Sequence, residues 1–338
     1  MARRGGWRRN GRKGRFRYVD SRGKPITDPD KVARIEDLAI PPAWRDVWIS
    51  PRPKAKLQAT GRDRAGRRQY LYHPEFRARQ EQEKFDRLVL FAERLPGLRK
   101  TMSKHMAREP FELEWTCALA IRLINLGWFR VGTERYAQTT RTFGITTLRK
   151  SHVSVRGSRI TFRYRGKHRV WVRTAVVDEE LASAMKELIQ LPGGRGLFRY
   201  RYEDSLVTLT GSRLNQYITE HLGEEFTAKD FRTWGGTLLA AIALAEHGPT
   251  ETDTEAKRVV AGVMRAVGER LGNTPAVART SYVSPAVVEQ YLDGRTIDDF
   301  RPRHLRIVAA RDSRLDPEER ALLGLLRSWR IRRARVAA

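Results

Sequence analysis

The chain has 338 residues and 40% hydrophobic content, enough to bury cores for about two domains, so it is not a disordered basic tail. Against 39 Asp and Glu, 66 Lys and Arg leave a formal charge of +27, an excess that points to a polyanionic partner, nucleic acid ahead of acidic lipid. The single cysteine, Cys117, excludes an internal disulfide and a cysteine metal cluster, and the 7 histidines show no His-x-x-x-His spacing.

Before Tyr18 stand eight Arg or Lys residues, no acid, and Gly5, Gly6, Gly11 and Gly14, the composition of a flexible arm that is laid along phosphates. Strand-like segments follow at Arg15 to Val19, Trp44 to Ser50, Lys56 to Arg62 and Arg67 to His73, broken by Pro41-Pro42 and Pro51-Arg52-Pro53. In the hairpin Leu57 to Tyr72 the strand period puts Arg68, Tyr70 and Tyr72 on one face and Gln69 and Leu71 on the other. A face of Arg and Tyr suits a nucleic-acid groove, and it equally suits ordinary cross-strand pairing.

From Glu75 the pattern is helical: Phe76 to Leu95, Arg99 to Ala107 and Phe111 to Leu126, with Pro96-Gly97 and Glu109-Pro110 as punctuation. The domain boundary is therefore expected near Pro96, giving residues 1–95 and 96–338. Three strands interrupt the helices at His152 to Arg156, Arg159 to Tyr164 and Arg169 to Arg173, with Lys167 at a hairpin tip. Helices resume at Asp178 to Gln190, Ser212 to His221, Thr227 to His247, Asp253 to Leu271, Pro285 to Leu292 and Asp316 to Arg335. The fold class expected is α+β: a small β-rich N-terminal domain and a larger, mainly helical domain with a small three-stranded antiparallel sheet.

Two motif searches fail. Gly166-Lys167 lacks the earlier glycine and the following Ser or Thr of a nucleotide-binding loop, and Asp28-Pro29-Asp30 and Glu251 to Glu255 read as a proline turn and a helix start, where capping explains them better than paired metal ions. No apolar stretch is long enough to span a bilayer and the arginine-rich start lacks an apolar signal core, so a cytoplasmic location without membrane contact is expected.

One stretch concentrates the chemistry. Gly272 is placed to end the helix running to Leu271, a short turn can start at Pro275, and Tyr282 then stands just before the Ser284-Pro285 start of the next helix. A presented tyrosine is either a half-buried structural residue or a nucleophile toward a phosphodiester, for which it needs cations beside the phosphate. Three stretches supply them. Arg130 follows a buried helix, Lys167 sits on its tip, and Lys229 and Arg232 lie about one turn apart on a helix.

At these residues the chain resembles the type IB DNA topoisomerases of the poxvirus and bacterial branch. The resemblance runs from Gln58-Ala59-Thr60-Gly61-Arg62-Asp63 through Thr142-Phe143-Gly144-Ile145-Thr146-Thr147-Leu148 to Tyr282, most of the chain. It implies transition-state arginines at Arg130 and Arg232, a general-acid lysine at Lys167 and the nucleophile at Tyr282. It further implies two domains closing on double-stranded DNA, action as a monomer on the nucleoid, a 3′-phosphotyrosyl intermediate, and no cofactor, metal or ATP. Where poxvirus and nuclear members carry a histidine this chain has Asn273, as the bacterial branch tends to. An amide can donate to a phosphate oxygen but cannot titrate, so only oxyanion binding is open to it.

Arg68, Gln69, Tyr70, Tyr72 and Lys229 are the expected DNA contacts. A tyrosine recombinase shares the helical domain type and the order of the catalytic residues, but has histidine where Lys229 stands. A basic packaging protein accounts for the charge and gives no reason for the motif set.

Overall fold

The arginine-rich start is largely a strand. In the computed structural model, which describes residues 5–12, 14–301 and 314–337, Trp7–Arg12 (β1) pairs antiparallel with Arg15–Val19 (β2) and with Arg45–Ile49 (β3). The flexible arm expected there is corrected over Trp7–Arg12, while residues 1–4 and 13 lie outside the described residues. The reason is local. Arg9 turns inward and donates to the carbonyls of Ile40, Pro41 and Trp44 at 3.0, 3.0 and 2.9 Å, and its guanidinium lies 4.2 Å from the Phe16 ring centroid. Gly11, at φ +96, allows the tight return, since a Cβ there would lie 2.3 Å from the Arg15 carbonyl oxygen.

Helix α1 (Pro29–Asp37) starts on Asp28, whose carboxylate accepts from the backbone of Asp30 and Lys31, so the acidic pair read as a turn opens a helix by capping. With β4 (Leu57–Arg62) and β5 (Arg68–Tyr72) the first sheet has the order β2-β1-β3-β4-β5. Its core is small: Ile35, Ile40, Val47, Ile49 and Ala59, with Trp7, Tyr18, Trp44 and Leu71 packed against them.

The chain divides into two compact units, Met1–Lys84 and Phe85–Ala338. The division falls earlier than the expected break near Pro96. Helix α2 (Pro74–Met106) runs through Pro96, and its burial begins at Phe85 and continues through Leu88, Phe91, Leu95, Leu98 and Met102. Proline removes one helical hydrogen bond, and burial on both sides of it keeps the helix continuous.

In the second unit α3 (Leu113–Gly127) is the central, nearly all-buried helix, and Cys117 within it has its thiol pushed up to about 12 by burial. A short α4 (Glu134–Thr139) leads to the sheet β6 (Val153–Arg156), β7 (Arg159–Arg165) and β8 (Trp171–Val177), antiparallel in that order. After α5 (Glu179–Gln190) comes a hairpin absent from the sequence reading, β9 (Arg199–Tyr202) and β10 (Ser205–Thr208). The rest is helical: α6 (Gly211–Leu222), α7 (Ala228–His247), α8 (Asp253–Leu271), α9 (Pro275–Ser281), α10 (Pro285–Leu292) and α11 (Pro317–Ala337). The α+β class and the three-stranded sheet are as expected. Among the described residues no helix is long and apolar enough to cross a membrane.

Candidate active site

Arg130 owes its position to how α3 ends. Trp128 takes the left-handed conformation at φ 52, and the following residues run extended against the Thr142 to Leu148 segment. Ile145 N–H donates to the Arg130 carbonyl and Thr146 N–H to that of Val131, both at 2.8 Å. Gly132 and Gly144 face each other so closely that a Cβ on Gly144 would lie 2.4 Å from the Gly132 nitrogen. Phe143 N–H also donates to the Arg165 carbonyl at 2.8 Å, tying the same segment to the end of β7.

The guanidinium of Arg130 reaches the turn after α8. Its Nη2 donates to the Gly272 carbonyl and to Asn273 Oδ1, both at 2.9 Å. Gly272 ends α8 at φ 61, the conformation that glycine adopts without a Cβ penalty. Asn273 Nδ2 lies 3.3 Å from the Leu271 carbonyl, which fixes the amide's orientation by its network. Burial, then the neighbouring Arg232, pushes the Arg130 pKa below its ordinary value, against the opposing influence of Tyr282 and Tyr164.

Arg232 sits on α7, 5% exposed, and donates through Nη1 to the Trp128 carbonyl and through Nη2 to the Leu271 carbonyl at 2.7 Å. Its Nε is buried and makes no hydrogen bond to a protein oxygen. Gly235 and Gly236, next on the same helix, let two side chains come close. A Cβ on Gly235 would lie 2.1 Å from the Trp128 indole nitrogen, and one on Gly236 2.8 Å from the Tyr282 carbonyl oxygen.

Tyr282 caps α9, with its N–H donating to the Ala278 carbonyl at 3.0 Å. Thr237 Oγ1 accepts from Ser284 N–H at 3.1 Å and shares its one proton between the Thr233 carbonyl at 2.8 Å and the Tyr282 carbonyl at 3.1 Å, so the hydroxyl touches the backbone on both sides of Val283. The Arg232 guanidinium lies 5.1 Å from the Tyr282 ring centroid. Burial raises the phenol's pKa, but the charge and hydrogen-bonding approach of Arg232, with Arg130 and Lys229 behind it, outweigh burial and leave it below the ordinary value.

Lys167 opens the turn Lys167–Arg169 between β7 and β8, in which His168 and Arg169 are both left-handed at φ 61. It lines one cavity with Arg130, Arg232, Tyr164, Trp171 and Gly272. The structure therefore gathers Arg130, Arg232 and Lys167 round one cavity, attaches Asn273 to Arg130, and sets Tyr282 under Arg232 with Lys229 near enough to act on it. Fixed guanidiniums with open donors can bind the non-bridging oxygens of a phosphate as it gains charge. Among the described residues no group of three or more His, Cys, Asp or Glu gathers as a metal site.

The hairpin residues lie in the first unit. Arg68, Tyr70 and Tyr72 are exposed on one face, with the two tyrosine rings stacked at 6.2 Å and 15°. Gln69, on the other face, donates to Asp63 Oδ2 at 2.9 Å. The sequence reading missed Trp128, Thr237 and the Gly235-Gly236 pair. Two adjacent glycines inside a strong helical pattern were the available signal, because each weakens the helix by about 1 kcal/mol relative to alanine and calls for a packing reason.

Residues 73–299 match the model of the eukaryotic DNA topoisomerase I catalytic core, and residues 15–63 that of the bacterial DNA topoisomerase IB N-terminal domain. The chain is 32% identical over 284 residues to DNA topoisomerase 1B of Acanthamoeba polyphaga mimivirus, covering 82% of this chain and 84% of the relative. It is 20% identical over 283 residues to DNA topoisomerase I of monkeypox virus and to DNA topoisomerase 1B of vaccinia virus (strain Copenhagen), covering 81% of this chain and 86% of each. With a catalytic-core match over most of its length and 32% identity to the mimivirus enzyme over 82% of the chain, the chain belongs to the type IB DNA topoisomerase family.

Proposed function

We propose that the protein relaxes positive and negative supercoils in double-stranded DNA by cutting and resealing one strand. The Tyr282 hydroxyl attacks a backbone phosphorus and loses its proton to solvent. The bond to the 5′ oxygen breaks, Lys167 protonates that oxygen, and a 3′-phosphotyrosyl link remains. The free strand turns about its partner, and the 5′ hydroxyl then attacks the same phosphorus and expels Tyr282. Arg130 and Arg232 hold the two non-bridging oxygens as charge builds, and Asn273 keeps Arg130 in place while offering its remaining amide N–H to the same oxygens.

One phosphoester is exchanged for another, so the bond energy is conserved and the cycle asks for no ATP; guanidiniums supply the charge that a metal supplies elsewhere. Arg68, Tyr70 and Tyr72 contact the groove, Gln69 presents its carbonyl oxygen with its amide nitrogen held by Asp63, and Lys229 contacts a phosphate. One molecule completes the cycle as a monomer, in the cytoplasm on the nucleoid.

The observation that carries this reading is the double anchorage. Arg130 and Arg232 are bonded to the carbonyls of Gly272 and Leu271, in the segment that leads through α9 to Tyr282. The test is relaxation of supercoiled plasmid in excess EDTA without ATP. The unaltered protein relaxes both supercoil signs at a rate proportional to its concentration and leaves a covalent adduct when denatured mid-reaction, whereas Tyr282→Phe binds DNA and does neither. Adduct formation by Tyr282→Phe would sink the assignment.

A further inference from the structure

The hairpin that carries Lys167 has a feature the chemistry above leaves unused. Along β7 and β8, Ile160, Phe162, Tyr164 and Val176 are buried, while Arg163, Arg165, Trp171 and Arg173 face outward. Register sets Arg165 opposite Trp171, immediately beside the Lys167–Arg169 tip. The Arg165 and Arg163 guanidiniums lie 4.1 and 5.3 Å from the Trp171 ring centroid, yet the residue is still 42% exposed. None of the three strands contains an acidic residue. Trp171 also lines the cavity shared by Arg130, Lys167 and Arg232.

A large indole left in water beside cations gives little to the core, since the buried side of this sheet is already filled. Its open aromatic surface can stack a nucleobase, and the adjacent guanidiniums can hold the phosphate next to that base. Within the proposed reaction Lys167 serves the departing 5′ oxygen, so the first nucleotide of the released strand emerges beside Trp171.

We propose that Trp171, with Arg165 and Arg163, is a stacking platform for the unpaired nucleotide at the released 5′ end; it resists rotation of that strand and returns the 5′ hydroxyl for resealing. The inference rests on the topoisomerase reading and adds a site to it. Rotation is then braked at the hairpin.

Single supercoiled DNA molecules held at fixed torque report the turns removed in each covalent event. Turns are counted only after cleavage, so the frequency of cleavage does not enter. Trp171→Ala is expected to raise the turns per event by about fivefold or more, the effect of losing one base–aromatic stack at the weak end of its range. Trp171→Phe restores part of the braking. Unchanged turns in Trp171→Ala, or identical values for the Ala and Phe variants, would overturn the platform. A second measurement needs no variant: 2-aminopurine as the released 5′ base is quenched when the covalent complex forms on the unaltered protein, and undiminished emission also overturns the proposal. If the unaltered protein forms no covalent complex at all, the topoisomerase reading fails first and this one with it.

Discussion

Arg130 and Arg232 are held by main-chain carbonyls and by one another's neighbours, and a planar fork is what this arrangement requires. Arg130 spends Nη2 on the Leu271 to Asn273 turn, whereas Arg232 spends Nη2 there and Nη1 on the Trp128 carbonyl, and a fork of five N–H groups has donors over for a ligand. A lysine keeps the charge but offers one nitrogen in place of a planar fork, so it cannot combine the turn bonds with a bidentate grip on a phosphate. Arg130→Lys and Arg232→Lys are each expected to slow single-turnover cleavage by about 10²–10³-fold, the loss seen on removing one oxyanion donor, with far smaller effects on DNA affinity. If higher protein concentration restores the rate, these arginines only position DNA. The phenol gives a pH test. Cleavage through the phenolate rises with pH and levels off at a midpoint below the ordinary tyrosine value, because cations hold the pKa down. Lys229→Gln removes one of those cations and should move the midpoint upward; a fixed midpoint would mean that Lys229 acts on DNA alone. The grouping of Arg130, Arg232, Lys167, Asn273 and Tyr282 was legible in the sequence because their order along the chain carries the resemblance. Trp128 and Thr237 were not, since one contributes a carbonyl and the other a hydroxyl bond that exist only after α7, α9 and the end of α3 have met.

Helix α7 is the element on which the site is assembled. It carries Arg232, the two glycines that admit Trp128 and Tyr282, and Thr237, within two turns. Gly236→Ala would set a methyl group 2.8 Å from the Tyr282 carbonyl oxygen and 3.0 Å from its Cβ, against backbone that cannot swing aside. Better helix propensity favours the variant by up to about 1 kcal/mol, but overpacking costs about 1–3 kcal/mol, so net destabilisation is expected in denaturant unfolding. Cleavage should fall further than stability does, because the displaced residue is the proposed nucleophile. A stabilised, fully active variant would show that the contact is loose. Whereas α1 and α4 were not read as helices, helix α3 and the helices from α5 onward were legible to within a residue or two, since their caps and apolar periods are local. Strand β1 was not, because what makes it a strand is Arg9 reaching three carbonyls more than thirty residues away. Pro96 misled for the converse reason: a local breaker lost to the burial of Leu95 and Leu98 on either side.

Across the second unit, helix α11 braces α7. Glu319 on α11, with its side chain 4% exposed, takes both terminal nitrogens of Arg99 on α2 at 2.8 Å and the Trp234 indole N–H of α7 at 3.1 Å. Glu319→Ala leaves the Trp234 indole N–H without its acceptor and a largely buried guanidinium without a counter-charge, with only the Arg314 carbonyl and Asn125 Oδ1 to accept from it, and a loss of about 3–5 kcal/mol in unfolding free energy is expected. A loss below about 1 kcal/mol would mean that water replaces the carboxylate. The apolar run Leu322 to Leu326 made this helix legible, but its attachment to α2 and α7 was not, because an acid in a first helical turn reads as an ordinary complement to the helix dipole.

The short segment that binds both Arg130 and the Lys167 hairpin gives the site a reporter. The amides of Phe143, Ile145 and Thr146 donate to Arg165, Arg130 and Val131 respectively, so none of the three exchanges its hydrogen with solvent until one of those anchors lets go. In deuterium oxide the protection of these amides measures the free energy of loosening the mountings of Arg130 and Lys167, with no DNA and no reaction present. Ile145 and Thr146 should exchange together, since they hold neighbouring residues, while Phe143 follows the hairpin. Faster exchange at Phe143 alone would show that the mounting of Lys167 opens while that of Arg130 stays shut, so that the two halves of the site breathe on separate clocks.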